Sequence, residues 1–280
     1  MSILVFTILI WLGSIAAGFL GSLTGLGGGI VIVPLLTIVF GVDIRYAIGA
    51  SLVSVIATSS GAAAAYVKEG FSNIRIGMFL EIATTVGALV GAFLALRLPT
   101  PIIAVIFGLV LLHSAYVSSR PRNENLCLDR PDPLATILKM NGTYPTPEGL
   151  EAYNVCSVPS GFSFMFIAGI ASGLLGIGSG TVKVLAMDQA MRLPFKVSTA
   201  TSNFMIGVTA AASAGIYLNK GYIDPGLTMP VMLGVLLGSS LGARHLFGAE
   251  TKKLRAIFGV VIFILAIEMI YSGLKGGLLK

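Results

Sequence analysis

The chain repeats itself. Shifted by 151 positions, its second half lies over the first without a gap. The match runs from Ala17-Gly18 on Ala168-Gly169 to Ile106-Phe107-Gly108 on Ile257-Phe258-Gly259. Between these ends Gly25, Gly27 and Gly29 fall on Gly176, Gly178 and Gly180. Ser51 falls on Ser202, Thr58 on Thr209, Tyr66 on Tyr217, Gly70 on Gly221, and Gly87 and Gly91 on Gly238 and Gly242. Apolar residues match by chance in any apolar chain; glycines, hydroxyls and tyrosines in one register do not. Whatever one half folds into, the other must therefore fold into as well.

Composition says what that is. Hydrophobic residues make up 55% of the 280 and charged residues 11%, against about 25% charged in a soluble domain. Too few charges remain to cover a water-facing surface, which excludes a soluble globular domain. Disordered chains and disulfide-dense secreted modules are excluded too. A helix needs about 20 residues to cross a bilayer. Apolar runs fall at 2–21, 46–67, 76–96, 101–118, 161–175, 199–218, 227–247 and 254–273. Two more, 29–41 and 180–193, are too short to span. Each follows a glycine cluster, Gly25-Leu26-Gly27-Gly28-Gly29 or Gly176-Ile177-Gly178-Ser179-Gly180. They read as half-helices entered through broken backbone.

The expected fold is an all-α polytopic membrane protein of two inverted repeats, each of about five membrane helices with the second one short. Inversion follows from an odd number of crossings per half, the layout of many secondary transporters. The expected division is a first repeat over 1–118, a hydrophilic central linker over 119–160 and a second repeat over 161–280.

Loop charges set the expected orientation in the cell membrane. Lys68, Arg75, Arg192, Lys196, Arg244, Lys252, Lys253 and Arg255 fall on the linker's side, against Arg45, Arg97, Lys220, Lys275 and Lys280 on the other. That excess predicts a cytoplasmic linker and both termini outside. Cys127 and Cys156, both in the linker, pull the other way. A disulfide is unusual in the cytosol, so either the cysteines are free or the orientation is reversed.

Helix starts carry unpaired N–H groups and partial positive charge, so two half-helices starting inside the membrane suit an anion. Glycine lets a ligand approach the backbone closely. The candidate anion site therefore takes in Gly25, Gly27, Gly28 and Gly29 with Gly176, Gly178, Ser179 and Gly180. The bland alternative is glycine that merely packs helices. Ser51, Thr201, Ser202 and Asn203 could replace an anion's hydration shell, or serve as interhelical glue. Lys183 lies in an apolar stretch three residues past Gly180, where burial demands a counter-charge or an anion. Its other readings are snorkelling and pairing with Asp188, which at i,i+4 suits Arg192 better. Glu81 and Glu268 are candidates for a coupling proton or for simple interfacial positions, and His113 for a hydrogen-bonded bundle residue.

Enzyme chemistry finds no support: HExxH, GxSxG and clustered metal ligands are absent, and both cysteines lie in the linker. Neither a cofactor nor a nucleic acid is expected as partner. The expected partners are a small anion, the bilayer and a coupling proton; a homo-oligomer is compatible with the sequence and not specified by it. An anion channel or uniporter, and a membrane scaffold with a partner-binding linker, remain as other functions.

These motifs resemble the TauE/SafE, or sulfite exporter, family of membrane permeases. The resemblance lies in Gly21-Ser22-Leu23-Thr24-Gly25-Leu26-Gly27-Gly28-Gly29 with Pro34-Leu35-Leu36, and in Gly176-Ile177-Gly178-Ser179-Gly180-Thr181-Val182-Lys183-Val184. The run Thr199-Ala200-Thr201-Ser202-Asn203-Phe204-Met205-Ile206-Gly207-Val208-Thr209 is similar to prokaryotic members. The resemblance implies transport, chiefly export, of sulfite or organosulfonates. Ser179 stands where the family often has glycine, and the linker is unusually long.

Overall fold

A computed structural model describes residues 3–24, 28–68, 70–119, 127, 132–146, 149–246 and 251–275. The first half is α1 (Ile3–Thr24), α2 (Gly29–Pro34), α3 (Ile44–Lys68), α4 (Ile74–Arg97) and α5 (Thr100–Ser119). The linker holds α6 (Pro133–Ile137) and an antiparallel hairpin, β1 (Gly142–Thr146) with β2 (Gly149–Tyr153). The second half is α7 (Val158–Leu175), α8 (Gly180–Leu185), α9 (Phe195–Asn219), α10 (Pro225–Leu246) and α11 (Thr251–Leu274).

The duplication is visible in the element starts. From α2 to α5, every helix begins 151 residues before its counterpart in α8 to α11. Even the distortions repeat. A π-helical turn, Leu35–Val39, continues α2, and another, Ala186–Ala190, continues α8. Pro34 precedes the first and Leu185 the second. The missing proline N–H is therefore not the shared cause.

Glycines bring the long helices together. A methyl added at Gly169 or Gly173 of α7 would strike the carbonyl of Thr84 or Ala88 on α4. Gly234 and Gly238 of α10 lie in the same way against Trp11 and Ile15 of α1. Both pairs run side by side in one direction. By contrast α3 and α9 run antiparallel, with Gly49 against Tyr222 just past α9 and Gly207 against Ser59. So do α5 and α11, with Gly108 against Ala266 and Gly273 against Pro101. The reading of glycine as packing residue thus holds for the long helices.

The bundle is small inside and large outside. Ala83, Ala88, Ala92 and Ala95 of α4 are buried, whereas Met78, Ile82, Val86 and Phe93 are exposed. On α11, Val260, Phe263, Ile264 and Ile267 are exposed. A water-soluble protein does not present such faces around its girth; lipid accepts them, and small residues let helices close in beneath them. Helices α4 and α7 are each long and apolar enough to cross a bilayer by themselves.

The described part of the linker is a docked cap. A disulfide joins Cys127 to Cys156, and the Cys156 N–H donates to the Met191 carbonyl at 3.1 Å. Asp132 accepts from the Leu134 N–H that starts α6 and from the Val158 N–H that starts α7. Asn73 is the hub on the bundle side. Its Oδ1 caps α4 by accepting from the Ile76 N–H. Its Nδ2 donates to the Met140 carbonyl and, at 2.7 Å, to the Tyr153 hydroxyl. Met140, Tyr144, Tyr153 and Val155 then join Ile76, Leu80, Met187 and Val197 in one apolar cluster.

Candidate functional site

Two interruptions of helix sit against each other in the middle of the bundle. In the first half, α2 starts at Gly29 with Gly28 before it; Gly25 and Gly27 lie outside the described residues. In the second, α7 ends at Leu175 and α8 starts at Gly180. Gly176, Gly178 and Ser179 between them all have positive φ, +69°, +69° and +49°. The first two match what glycine tolerates; Ser179 is a side-chain-bearing residue in a conformation that usually needs glycine. Its hydroxyl is buried and unpartnered.

The two breaks touch. A methyl on Gly29 would lie 2.7 Å from Ser51 Oγ, 2.9 Å from Val55 Cγ2 and 3.1 Å from the Gly176 carbonyl. A methyl on Gly178 would meet Ile206 and, at 3.1 Å, Val55. Ser51 Oγ donates to the Gly176 carbonyl at 2.7 Å, tying α3 of the first half to the break of the second. Its repeat mate Ser202 is placed differently: its Oγ lies 3.4 Å from the Gly180 carbonyl, within its own half. Residues Gly28 to Pro34 and Gly176 to Gly180 are buried throughout.

Beside the second break lies a charged chain. Lys183 is 0% exposed and Glu81, on α4, is 7% exposed. Thr209 of α9 stands between them. Lys183 Nζ donates to Thr209 Oγ1 at 2.5 Å, and Thr209 Oγ1 donates to Glu81 Oε1 at 2.6 Å. The Thr209 hydroxyl has a second acceptor in reach, the Met205 carbonyl at 2.9 Å. Thr85 also donates to Glu81 Oε1, whereas Glu81 Oε2 is buried without a partner. Lys183 therefore neither snorkels nor relies on Asp188: its counter-charge is Glu81.

The other sequence candidates scatter. Thr201 accepts from the Asn73 N–H at 3.0 Å, next to the linker cap. Asn203 is half-buried further along α9, while Glu268 and His113 are exposed. Thr209 is the residue that sequence reasoning missed. It stood out only as the repeat mate of Thr58, whose hydroxyl bonds back to its own helix at Ser54 and Val55. A usable signal existed. A buried lysine needs an acid, and only Glu81, Asp188 and Glu268 fall within the apolar helical segments. Among the described residues, no three His, Cys, Asp or Glu side chains converge as a metal would require.

Comparison with known proteins gives the family. The family model "Sulfite exporter TauE/SafE" matches residues 10–269. The "Probable membrane transporter protein YunE" of Bacillus subtilis is 30% identical over 96% of this chain and 98% of its own length. A "Probable membrane transporter protein" of Methanocaldococcus jannaschii is 25% identical over 96% of both chains. Another from Xylella fastidiosa is 26% identical over 91% of both. No solved structure matches the chain.

Proposed function

The chain belongs to the sulfite exporter TauE/SafE family, and on that premise we propose that it is a secondary transporter. It exports small sulfur-containing anions, sulfite or an organosulfonate, by alternating access around a site between the two helix breaks. The halves act as inverted repeats. The antiparallel runs of the mates α3 and α9, and of α5 and α11, support that reading. The anion is met by backbone N–H groups at Gly28–Gly29 and at Gly178–Gly180, by the hydroxyls of Ser51, Ser179 and Ser202, and by the Lys183 ammonium. Thr201 and Asn203 have a smaller part: Thr201 stands beside the linker cap, where its Oγ1 accepts from the Asn73 N–H.

One observation carries the choice of carrier over channel. The two breaks are packed directly on each other, with Gly29 against the Gly176 carbonyl and Ser51 bonded across. An anion passes only if this contact opens, once per cycle, and that is the behaviour of a carrier. The closed disulfide favours a linker outside the cytosol, the reverse of what the loop charges suggest. We accordingly place the cap on the extracytoplasmic face, with both termini inside.

Efflux of labelled sulfite from proteoliposomes tests the reading. Gly29→Ala forces Ser51, Val55 and Gly176 apart and is expected to lower flux at least tenfold. Gly215→Ala meets nothing within 4 Å and is expected to transport like the parent. Equal flux in all three proteins would remove the breaks from the transport path.

A further inference from the structure

Three features call for explanation beyond an anion site. An apolar groove of about 280 Å³ between α1 and α10 is lined by Trp11, Met229 and Pro230, and nothing shows what covers it. A hollow of about 270 Å³ near the linker, beside Phe71 and Lys196, has no built polar site. The Lys183–Thr209–Glu81 chain is different, because it breaks the internal symmetry. The repeat mate of Lys183 is Ile32 and that of Glu81 is Met232. The duplication gave each half a glycine break, but among the described residues only the second has a buried lysine and a buried carboxylate beside it, joined through a hydroxyl.

We propose that Lys183 exchanges partners during transport and thereby couples the anion to one proton moving in the same direction. The proposal rests on the anion-transport reading above. With the site empty, Lys183 is neutralised by Glu81 through the Thr209 hydroxyl. An anion arriving at Ser179 and Gly180, one turn away on the same short helix, takes Lys183 over. Glu81 then stands as a buried carboxylate without its cation. A buried charge left unpaired is costly. The carboxylate therefore takes one proton from the water that admitted the anion. On the opposite face the anion leaves, Glu81 returns that proton to water, and the ion pair re-forms.

Three details fit this exchange. Glu81 Oε2 has no partner, so a proton can settle there without displacing any bond. The Thr209 hydroxyl can turn from Glu81 to the Met205 carbonyl at 2.9 Å, so release of the carboxylate orphans no donor. The neighbouring elements offer no substitute charge. Helix α7 has no ionisable side chain, Lys196 lies at the linker end of α9, and Asp188 is held by interactions of its own. For a univalent anion the cycle is electroneutral. Net export then requires an internal excess of anion larger than the opposing proton gradient, about tenfold per pH unit.

The test uses the purified full chain in proteoliposomes with labelled sulfite and with labelled methanesulfonate, a univalent anion on which accumulation is read. Two assays run side by side: anion–anion exchange at equal pH, and accumulation against a gradient with the exterior one pH unit more acid. The parent is expected to exchange and to accumulate by up to about tenfold. Glu81→Gln, which fixes the neutral side-chain form, is expected to exchange but not to accumulate. Exchange without accumulation in the parent, or parent-like accumulation in Glu81→Gln, overturns the coupling and leaves the anion site standing. Absence of exchange for both anions overturns the transport reading and the coupling with it. A measurement without variants guards against misfolding. Binding of methanesulfonate, which does not itself titrate, to the detergent-solubilised parent in weak buffer should take up about one proton per protein bound, and no uptake overturns the proposal.

Discussion

Replacing Ser51 by alanine isolates the contact that holds the two breaks together. The bond from Ser51 Oγ to the Gly176 carbonyl is 2.7 Å long, the commonest length for an O–H···O bond. Both groups are buried. Orphaning a buried acceptor costs about 1–3 kcal/mol in proteins generally. Interhelical bonds in membranes average about 0.6 and reach about 1.7 kcal/mol, because the separated helices find other partners. The overlap of these ranges is about 1–1.7 kcal/mol, or about 2–6 °C in melting temperature for a chain of this size. The repeat mate provides the control. Ser202 Oγ stands 3.4 Å from the Gly180 carbonyl, beyond the usual range of about 2.5–3.0 Å. Its removal should cost less than about 0.5 kcal/mol, near the limit of detection. Thermal unfolding of both variants in detergent, followed by circular dichroism, makes the comparison. Ser51→Ala is expected to melt lower than Ser202→Ala. Equal losses, or the larger loss in Ser202→Ala, would refute the idea that the Ser51 bond holds the two breaks together.

Further outcomes follow from other contacts. Lys183→Met leaves Glu81 buried without its cation and is expected to cost about 3–5 kcal/mol in thermal melting; Lys183→Met with Glu81→Gln should regain most of it. Reducing the Cys127–Cys156 disulfide, whose partners lie 29 residues apart, should loosen the cap by about 3.5 kcal/mol, seen as faster hydrogen exchange in Gly142–Tyr153. Burial holds the Tyr153 hydroxyl above its usual pKa of 10.0, with the Asn73 bond acting in the opposite sense. A raised tyrosine favours the folded state below that value, so docking of the cap should be constant up to about pH 10 and weaken above it. Tyrosinate absorbance against hairpin exchange checks this. A fluorescent protein fused to the C-terminus should glow in cells if the cap is extracytoplasmic and stay dark if the loop charges rule.

How much of this was legible beforehand depends on the kind of interaction. Local signals were reliable. Glycine clusters marked the breaks at Gly28–Gly29 and Gly176–Gly180, and the short apolar stretches after them are short helices. The site chemistry was legible only residue by residue. Lys183 stands out because a lysine in an apolar run is costly wherever it ends up. Its counter-charge on α4, 102 residues away in sequence, was one candidate among several. Ser51 and Ser202 looked alike because the repeat makes them so; only packing shows that one reaches across and the other does not. The linker read as a hydrophilic tether because polar residues predominate. Asn73 and a few apolar side chains, Met140 and Val155 among them, dock it all the same.

By itself the sequence determined the duplication, the apolar helices, the two chain breaks and the family, since each is written in spacing and composition along the chain. Tertiary structure alone decided that the breaks meet, that Thr209 joins Lys183 to Glu81 and that the cap is fastened to α4. Those outcomes depend on distances between residues far apart in the chain. Two halves with one pattern must form the same elements, yet single substitutions at Ile32/Lys183 and Glu81/Met232 suffice to give only one of them a charge to neutralise.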